Sequence, residues 1–209
     1  MKQIISAMVS LLIFSCVNNV IAQSVKIGDQ TWATKNLDVT SFKNGDAIPE
    51  AKTAAEWTAL ADQRKPAWCY YNNDKANGTK YGKLYNFFAV TDPRGLAPNG
   101  WHIPTDAEWV TLTGNLGGEN AAGSQMKSSS GWSNKGDGNN SSGFDGLPGG
   151  NRSLKGVFAD VGSVGYWWSA SKAGPYSAWY RSLSSANGGV GRAGNAFMKS
   201  ALSVRCVQD

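Results

Sequence analysis

LAPNGWHIPTDAEW, Leu96–Trp109, contains the only histidine of the chain and two of its nine tryptophans. Thr105 and Glu108 stand at capping-box spacing, so each can satisfy a free backbone N–H at a helix start. Pro104 precedes the cap and is placed to pack back on Trp109. Trp109, Leu112 and Leu116 then fall on one apolar face, and Gly117-Gly118 supplies the left-handed residue at which a helix ends. Asp106 and Glu108 lie in the first turn, where the helix dipole favours negative charge. His102 beside these two carboxylates has the residue types of a catalytic or metal centre. Helix initiation, however, already accounts for both carboxylates, and a lone histidine without a second soft ligand makes a poor transition-metal site. The expected role of His102 is that of a half-buried side chain bonded to the backbone at the helix entrance.

Outward from this helix, the elements are short. VKIGDQTWATKNL reads as a hairpin turning at Gly28-Asp29. TAAEWTALAD repeats the capping box with Thr53 and Glu56, and Trp57, Leu60 and Ala61 share a face. PAWCYYNNDKANGTKYGKLYNFFAV suggests a strand, an exposed turn at the Asn-Asn-Asp and Asn77-Gly78 stretch, and a strand-like segment from Lys83 to Val90. TDPRGLAPNG is a turn by composition. Residues Ser128–Asn151 are dense in Gly, Ser and Asn, with Trp132, Phe144 and Leu147 as isolated anchors. Loops of this length are functional or poorly ordered. GYWWSAS and AWYRSLS are strand signals. ALSVRCVQD, with Leu202, Val204 and Cys206 in step, predicts a buried strand. No tandem repeat or interdomain linker interrupts the pattern.

The first 22 residues predict a cleaved signal peptide: Lys2, a short apolar core from Ile4 to Phe14, and Val20-Ile21-Ala22 before Gln23. The rival is a lipoprotein signal at Ile13-Phe14-Ser15-Cys16, which would lipidate Cys16 and anchor the chain to a membrane. Residues 23–209 suit one domain with a real core. The 25 glycines and only 17% charged residues favour a loop- and strand-rich domain over a helical bundle. The net charge of +5, or +4 once Lys2 is lost, is scattered. It forms no basic stripe, which speaks against nucleic-acid binding. Of the three cysteines, Cys69 and Cys206 remain after export. They form either one disulfide, worth on the order of 4–5 kcal/mol in the chain-entropy model, or two separately buried thiols.

Ordered blocks run through nearly all of residues 23–209: IGDQTWATKNLDV, NGDAIP, AWCYYNND, YGKLYNFFAV, GWHIPTDAEW, GFDGLPGGNR, GYWWSAS, AWYRSL and SVRCVQD. By these blocks the chain resembles the Fibrobacter succinogenes major paralogous domain family of secreted and surface proteins. The resemblance implies a C-type-lectin-like α+β fold, related to formylglycine-generating enzymes. It would have short antiparallel sheets, two flanking helices and long Gly-rich loops, and its first and last strands would pair (Val25–Ile27 near Val204–Val207). Family members often carry a cysteine where this chain has Ala97. If that cysteine partners Cys206 elsewhere, Cys206 here is free or re-paired with Cys69.

The enzymes of related fold hold copper through a cysteine pair or iron through a histidine cluster. One histidine and two distant cysteines fit neither, although a Cys–His nucleophile pair is formally available. Lectin calcium motifs are absent. The oxygen-rich NND at 72–74 and GDGNN at 136–140 supply hard ligands that keep calcium as a minor alternative, but both are also ordinary turn compositions. The expected function is therefore non-catalytic binding without a cofactor, at the cell surface or in the extracellular space. The expected ligand is a polysaccharide or another surface protein; the alternatives are a structural or adhesion module that binds only a protein, through Ser128–Asn151, and, third, a divergent enzyme of the formylglycine-generating type. The candidate ligand residues are Trp167, Trp168, Trp179, Tyr180 and Arg181. Adjacent strand residues face opposite ways, so at most one of Trp167 and Trp168 should be core.

Overall fold

A computed structural model describes residues 23–209, and the expected signal segment with Cys16 lies outside them. Three antiparallel sheets and five α-helices give these residues a mixed α+β architecture. No helix among the described residues is long and apolar enough to cross a membrane.

The N-terminal hairpin forms as its turn residues dictate. β1 (Ser24–Ile27) and β2 (Gln30–Ala33) pair with Ile27 opposite Gln30, and Gly28 takes φ +59° in the turn. β2 then pairs with β12 (Val207–Gln208), and β12 with β5 (Trp101–His102). Hairpin and chain end thus share a sheet, but the neighbour of the last strand is Trp32 on β2, not Val25–Ile27 on β1. A second sheet runs β3 (Trp68–Cys69), β4 (Leu84–Asn86), β11 (Ala201–Leu202), β6 (Asn151–Arg152) and β7 (Phe158–Ala159). The third is formed by β8 (Val164–Lys172), β9 (Ser177–Ser184) and β10 (Val190–Phe197), with β9 central.

The run expected as one C-terminal strand is buried from Ala201 to Val207 but divides between two sheets. Residues 203–206 cross from one to the other. Their backbone groups are taken by Tyr166 and Trp168 on β8, and by the amides of Ala33 and Leu37. Burial on both sides, which sequence alternation hides, requires such mixed partners.

Five helices replace the two expected. α1 (Ala54–Asp62) and α4 (Asp106–Asn115) carry both capping boxes as read. Gly117 and Gly118, with φ +89° and +92°, let the chain leave α4. α2 (Lys75–Tyr81) runs through the expected turn at Asn77-Gly78. Gly78 is buried there, and a Cβ would lie 2.2 Å from the Tyr70 ring, so close packing rather than turn chemistry requires the glycine. α3 (Phe87–Val90) is a single turn capped by the Asn86 side chain. α5 (Glu119–Met126) has weak apolar periodicity; a Cβ on its Gly123 would lie 2.2 Å from the Gly189 carbonyl oxygen and 2.6 Å from that of Gly188, so the close backbone approach requires the glycine.

β8 divides the core. Trp167 faces a cluster with Trp32, Trp109 and Phe144, in which the Trp32 and Trp109 rings stand 4.8 Å apart. Trp168 faces the opposite cluster with Trp68, Tyr85 and Phe87. Both indoles are buried and bonded, Trp167 to Asn36 Oδ1 at 2.8 Å and Trp168 to the Tyr85 carbonyl at 2.8 Å. The two side chains point apart as strand geometry demands. Since both faces of β8 are covered, however, both are core, and neither reads a ligand.

Buried cations organise the loops. Lys127 directs its ammonium at the carbonyls of Gly136, Ser184 and Asn187, at 2.6–3.0 Å. Arg205 donates to Asn36 Oδ1 and to the carbonyls of Ala33 and Phe144. Burial pushes its guanidinium down to about 9, leaving it charged at neutral pH. Ser128–Asn151 is anchored at intervals: Trp132 and Phe144 are buried, and Lys127 and Arg205 hold its carbonyls, while the residues between the two rings, Gly136 apart, stay exposed or half-buried.

Candidate functional site

The histidine stretch builds a charged cluster at the entrance of α4. His102 is about one-third exposed and lies between two carboxylates. Its Nε2 is 2.7 Å from Glu108 Oε1, and its Nδ1 is 2.8 Å from Asp209 Oδ1. The expected backbone contact is thus replaced by two side-chain contacts, because the β12–β5 pairing brings Asp209 alongside. Burial draws the imidazole pKa down, but the bonds to Glu108 and Asp209 outweigh it, and the net shift is upward. Glu108 Oε2 meanwhile accepts from the Thr105 amide and hydroxyl, closing the capping box.

Asp106, one residue into the helix, serves two arginines. Arg181 Nη1 meets Oδ1 at 2.7 Å, and Arg192 Nη2 meets Oδ2 at 2.7 Å. Burial raises the Asp106 carboxyl, and the bonds to Arg192 and Arg181 more than reverse this, holding it below the usual carboxylate value. Arg181 is 1% exposed. It is a strut between β9 and α4 and cannot reach solvent to read a sugar, which corrects its expected role. Trp179 is half-buried, with the Arg192 guanidinium 4.6 Å from its ring. Tyr180 is half-buried against Tyr166. The five candidate ligand residues do not converge on an open surface.

The thiols are separate. Cys69 lies in a cluster with Ala51 and Trp57, and Cys206 in another with Phe42 and Trp168. Both are free and buried, which corrects the expected disulfide. Desolvation pushes their thiols up to about 11 and about 12. Ala97 shares the cluster of Cys206, so the position where the resemblance implied a partner cysteine holds only a methyl group. The oxygen-rich turns are occupied as turns. Asn72 and Asn73 are left-handed, Asp74 caps α2, Asp137 accepts the Trp132 amide, and Asn140 bonds Asp145. Among the described residues no group of three or more His, Cys, Asp or Glu could hold a metal ion.

An apolar cleft of about 550 Å³ lies elsewhere. One wall is the tip of the β8–β9 hairpin, Pro175 and Tyr176, together with Phe197 at the end of β10. The floor includes Phe88 of α3 and Met198; the rim carries Asp62 and Arg64 from the end of α1, and Lys199. Tyr176 is 68% exposed and Phe197 55%. Met198 N–H donates to the Tyr176 carbonyl at 3.0 Å, fixing the two aromatic segments side by side. Sequence reasoning missed both rings: Tyr176 stands in a Gly-Pro turn, and Phe197 ends a strand of Gly and Ala that lacks an apolar pattern. The signal present was Pro175-Tyr176, a large aromatic in a hairpin turn where little core exists to bury it.

The molecule is an α+β domain whose buried charges serve its loops and whose exposed aromatics gather at one cleft. The sequence profile of the Fibrobacter succinogenes major domain matches residues 25–208, and the chain belongs to that family. No curated protein and no solved structure matches the chain.

Proposed function

We propose that this chain is an exported, non-catalytic domain of C-type-lectin-like architecture that binds a polysaccharide in the Tyr176–Phe197 cleft. The observation that carries the reading is the pair of solvent-facing rings, backed by apolar side chains and edged by Asp62, Arg64 and Lys199. Flat rings suit the CH faces of sugars, and a few polar groups at the edge can read hydroxyls. The cavity falls within the range of roughly 300–1,000 Å³ typical of ligand sites. The lectin-like architecture is supported by the sheet that the first hairpin and last strand share, and by the long loops between them. A non-catalytic role is supported by the two desolvated thiols and by a histidine engaged on both nitrogens. Calcium is not required in this reading, so EDTA leaves binding unchanged.

The test is saturable binding of the protein to a panel of plant and bacterial polysaccharides. Tyr176→Ala and Phe197→Ala each weaken binding about 10-fold or more. Because both rings are exposed, stability moves by no more than about 0.5 kcal/mol. Absence of binding across the panel overturns the glycan reading and leaves a protein partner for the same cleft. The export half of the proposal has its own readout. The N-terminus of the secreted protein is Gln23, whereas a lipidated Cys16 would make it a membrane-anchored lipoprotein.

A further inference from the structure

The six arginines divide sharply. Arg94, Arg181 and Arg192 face carboxylates, and Arg152 and Arg205 donate to buried carbonyls. Among the described residues only the Arg64 guanidinium enters neither an ion pair nor a side-chain hydrogen bond, and it stands on the rim of the cleft. Its neighbour there, Lys199, is already matched by Asp62 at 2.6 Å. The lining therefore carries one cation in excess, and that cation is Arg64.

The backbone makes this placement unusual. α1 ends with Gln63 as C-cap. The Arg64 amide then bonds the Ala61 carbonyl at 3.1 Å, and the Lys65 amide bonds the Leu60 carbonyl at 2.9 Å. This is a Schellman closure, whose left-handed position is usually glycine. Arg64 occupies it with φ +53°. Helix termination alone would favour glycine, and a cation could serve the helix dipole from the last turn without a left-handed backbone. The fold thus gains nothing visible from the Arg64 side chain, which leaves its guanidinium free for a ligand in the cleft it lines.

Building on the binding function proposed for this cleft, we infer that it takes an acidic saccharide, a uronate-bearing polymer whose carboxylate is read by Arg64 while its ring lies on Tyr176 and Phe197. The planar guanidinium matches a planar carboxylate with two parallel hydrogen bonds; a tetrahedral oxyanion can be held by the same fork, so a sulfated polymer is the comparison that separates the two.

The experiment compares polygalacturonate with its fully methyl-esterified form, which keeps the sugars and removes the charge, and with a sulfated polymer. The protein is expected to bind polygalacturonate at least 10-fold more tightly than the ester. Arg64→Gly is expected to lose about 10- to 100-fold of that affinity while binding to the ester is unchanged. Equal binding to acid and ester, or acid binding untouched by Arg64→Gly, overturns the acidic specificity and leaves the cleft a neutral-glycan site. Tighter binding of the sulfated polymer overturns the uronate assignment. Binding that survives Tyr176→Ala and Phe197→Ala refutes the cleft itself, so the two failures are distinguishable.

Discussion

The entrance of α4 and the exit of α1 are both helix ends rich in charge, yet they are built on opposite logic. At the entrance of α4, Asp106 meets two arginines, and Glu108 meets His102 and its own capping threonine. Every one of those charges is answered within the protein. At the exit of α1, Arg64 is unanswered and held in a conformation that suits glycine. The first set looks catalytic in the sequence and is engaged in contacts within the protein; the second is inconspicuous in the sequence and lines the open cleft. A constellation of reactive residue types therefore says little until its partners are counted. The informative group is the one whose partner is missing.

The sharpest way to break the closed set is Asp106→Ala. It leaves Arg181, 1% exposed, without its counter-charge. Stranding a buried charge costs about 3–5 kcal/mol, a large part of the ~5–15 kcal/mol that holds a domain of ordinary stability together. The expected outcome is a marked fall in the urea midpoint with no change in slope. A loss below about 1 kcal/mol would show that Arg181 reaches water, and the contrast between the two helix ends would collapse.

Arg64→Gly reverses the sign. Left-handed geometry costs a side-chain-bearing residue roughly 1–2 kcal/mol, part of which glycine returns through its greater freedom in the unfolded chain. The variant is expected to be neutral or about 1 kcal/mol more stable in the same urea titration. Destabilisation of more than about 1 kcal/mol would mean that Arg64 holds the fold, and its claim to a ligand would fail.

The same contrast explains what could be read from the sequence. Capping boxes, the Gly28-Asp29 turn and the strands around Trp167 and Trp179 depend on residues near in sequence, and they formed as read. The family was legible from its ordered blocks. What escaped depended on distant partners. α2 and α5 form where Gly78 and Gly123 admit a ring or a carbonyl from elsewhere. β10 is a strand because β9 pairs with it, and its Gly194 lies under the Trp179 ring. Strand alternation separated Trp167 from Trp168 but could not show that both sides of β8 are covered. Three of the candidate ligand residues were misread for the same reason: Trp167, Trp168 and Arg181 had the right chemistry but buried surroundings, whereas the exposed rings of Tyr176 and Phe197 lay in segments with no apolar pattern.

The smallest expected effect tests whether the closed set depends on charge. The raised imidazole of His102 contributes stability that is fully present below its ordinary value of 6.5 and is lost as pH rises through the folded value. Glu108 works from the other side. Burial raises its carboxyl, but the bonds from Thr105 and His102 lower it further, so its contribution is present above 4.5 and is lost as pH falls through its folded value. The latch joining β5, α4 and the chain end is therefore strongest between these ordinary values. Asp209 and the other groups involved are partly exposed, and solvent screening limits the whole contribution to about 1 kcal/mol or less, or about 2–4 °C in Tm. The wild-type Tm is expected to decline as pH rises above 6.5, and His102→Gln, which cannot become charged, should flatten that decline and lower Tm at pH 5.5–6. Parallel curves for the two proteins would mean that the imidazole is held as a neutral hydrogen-bonding spacer. The α4 entrance would then be closed by shape and hydrogen bonding, and the charge logic would rest on Asp106 alone.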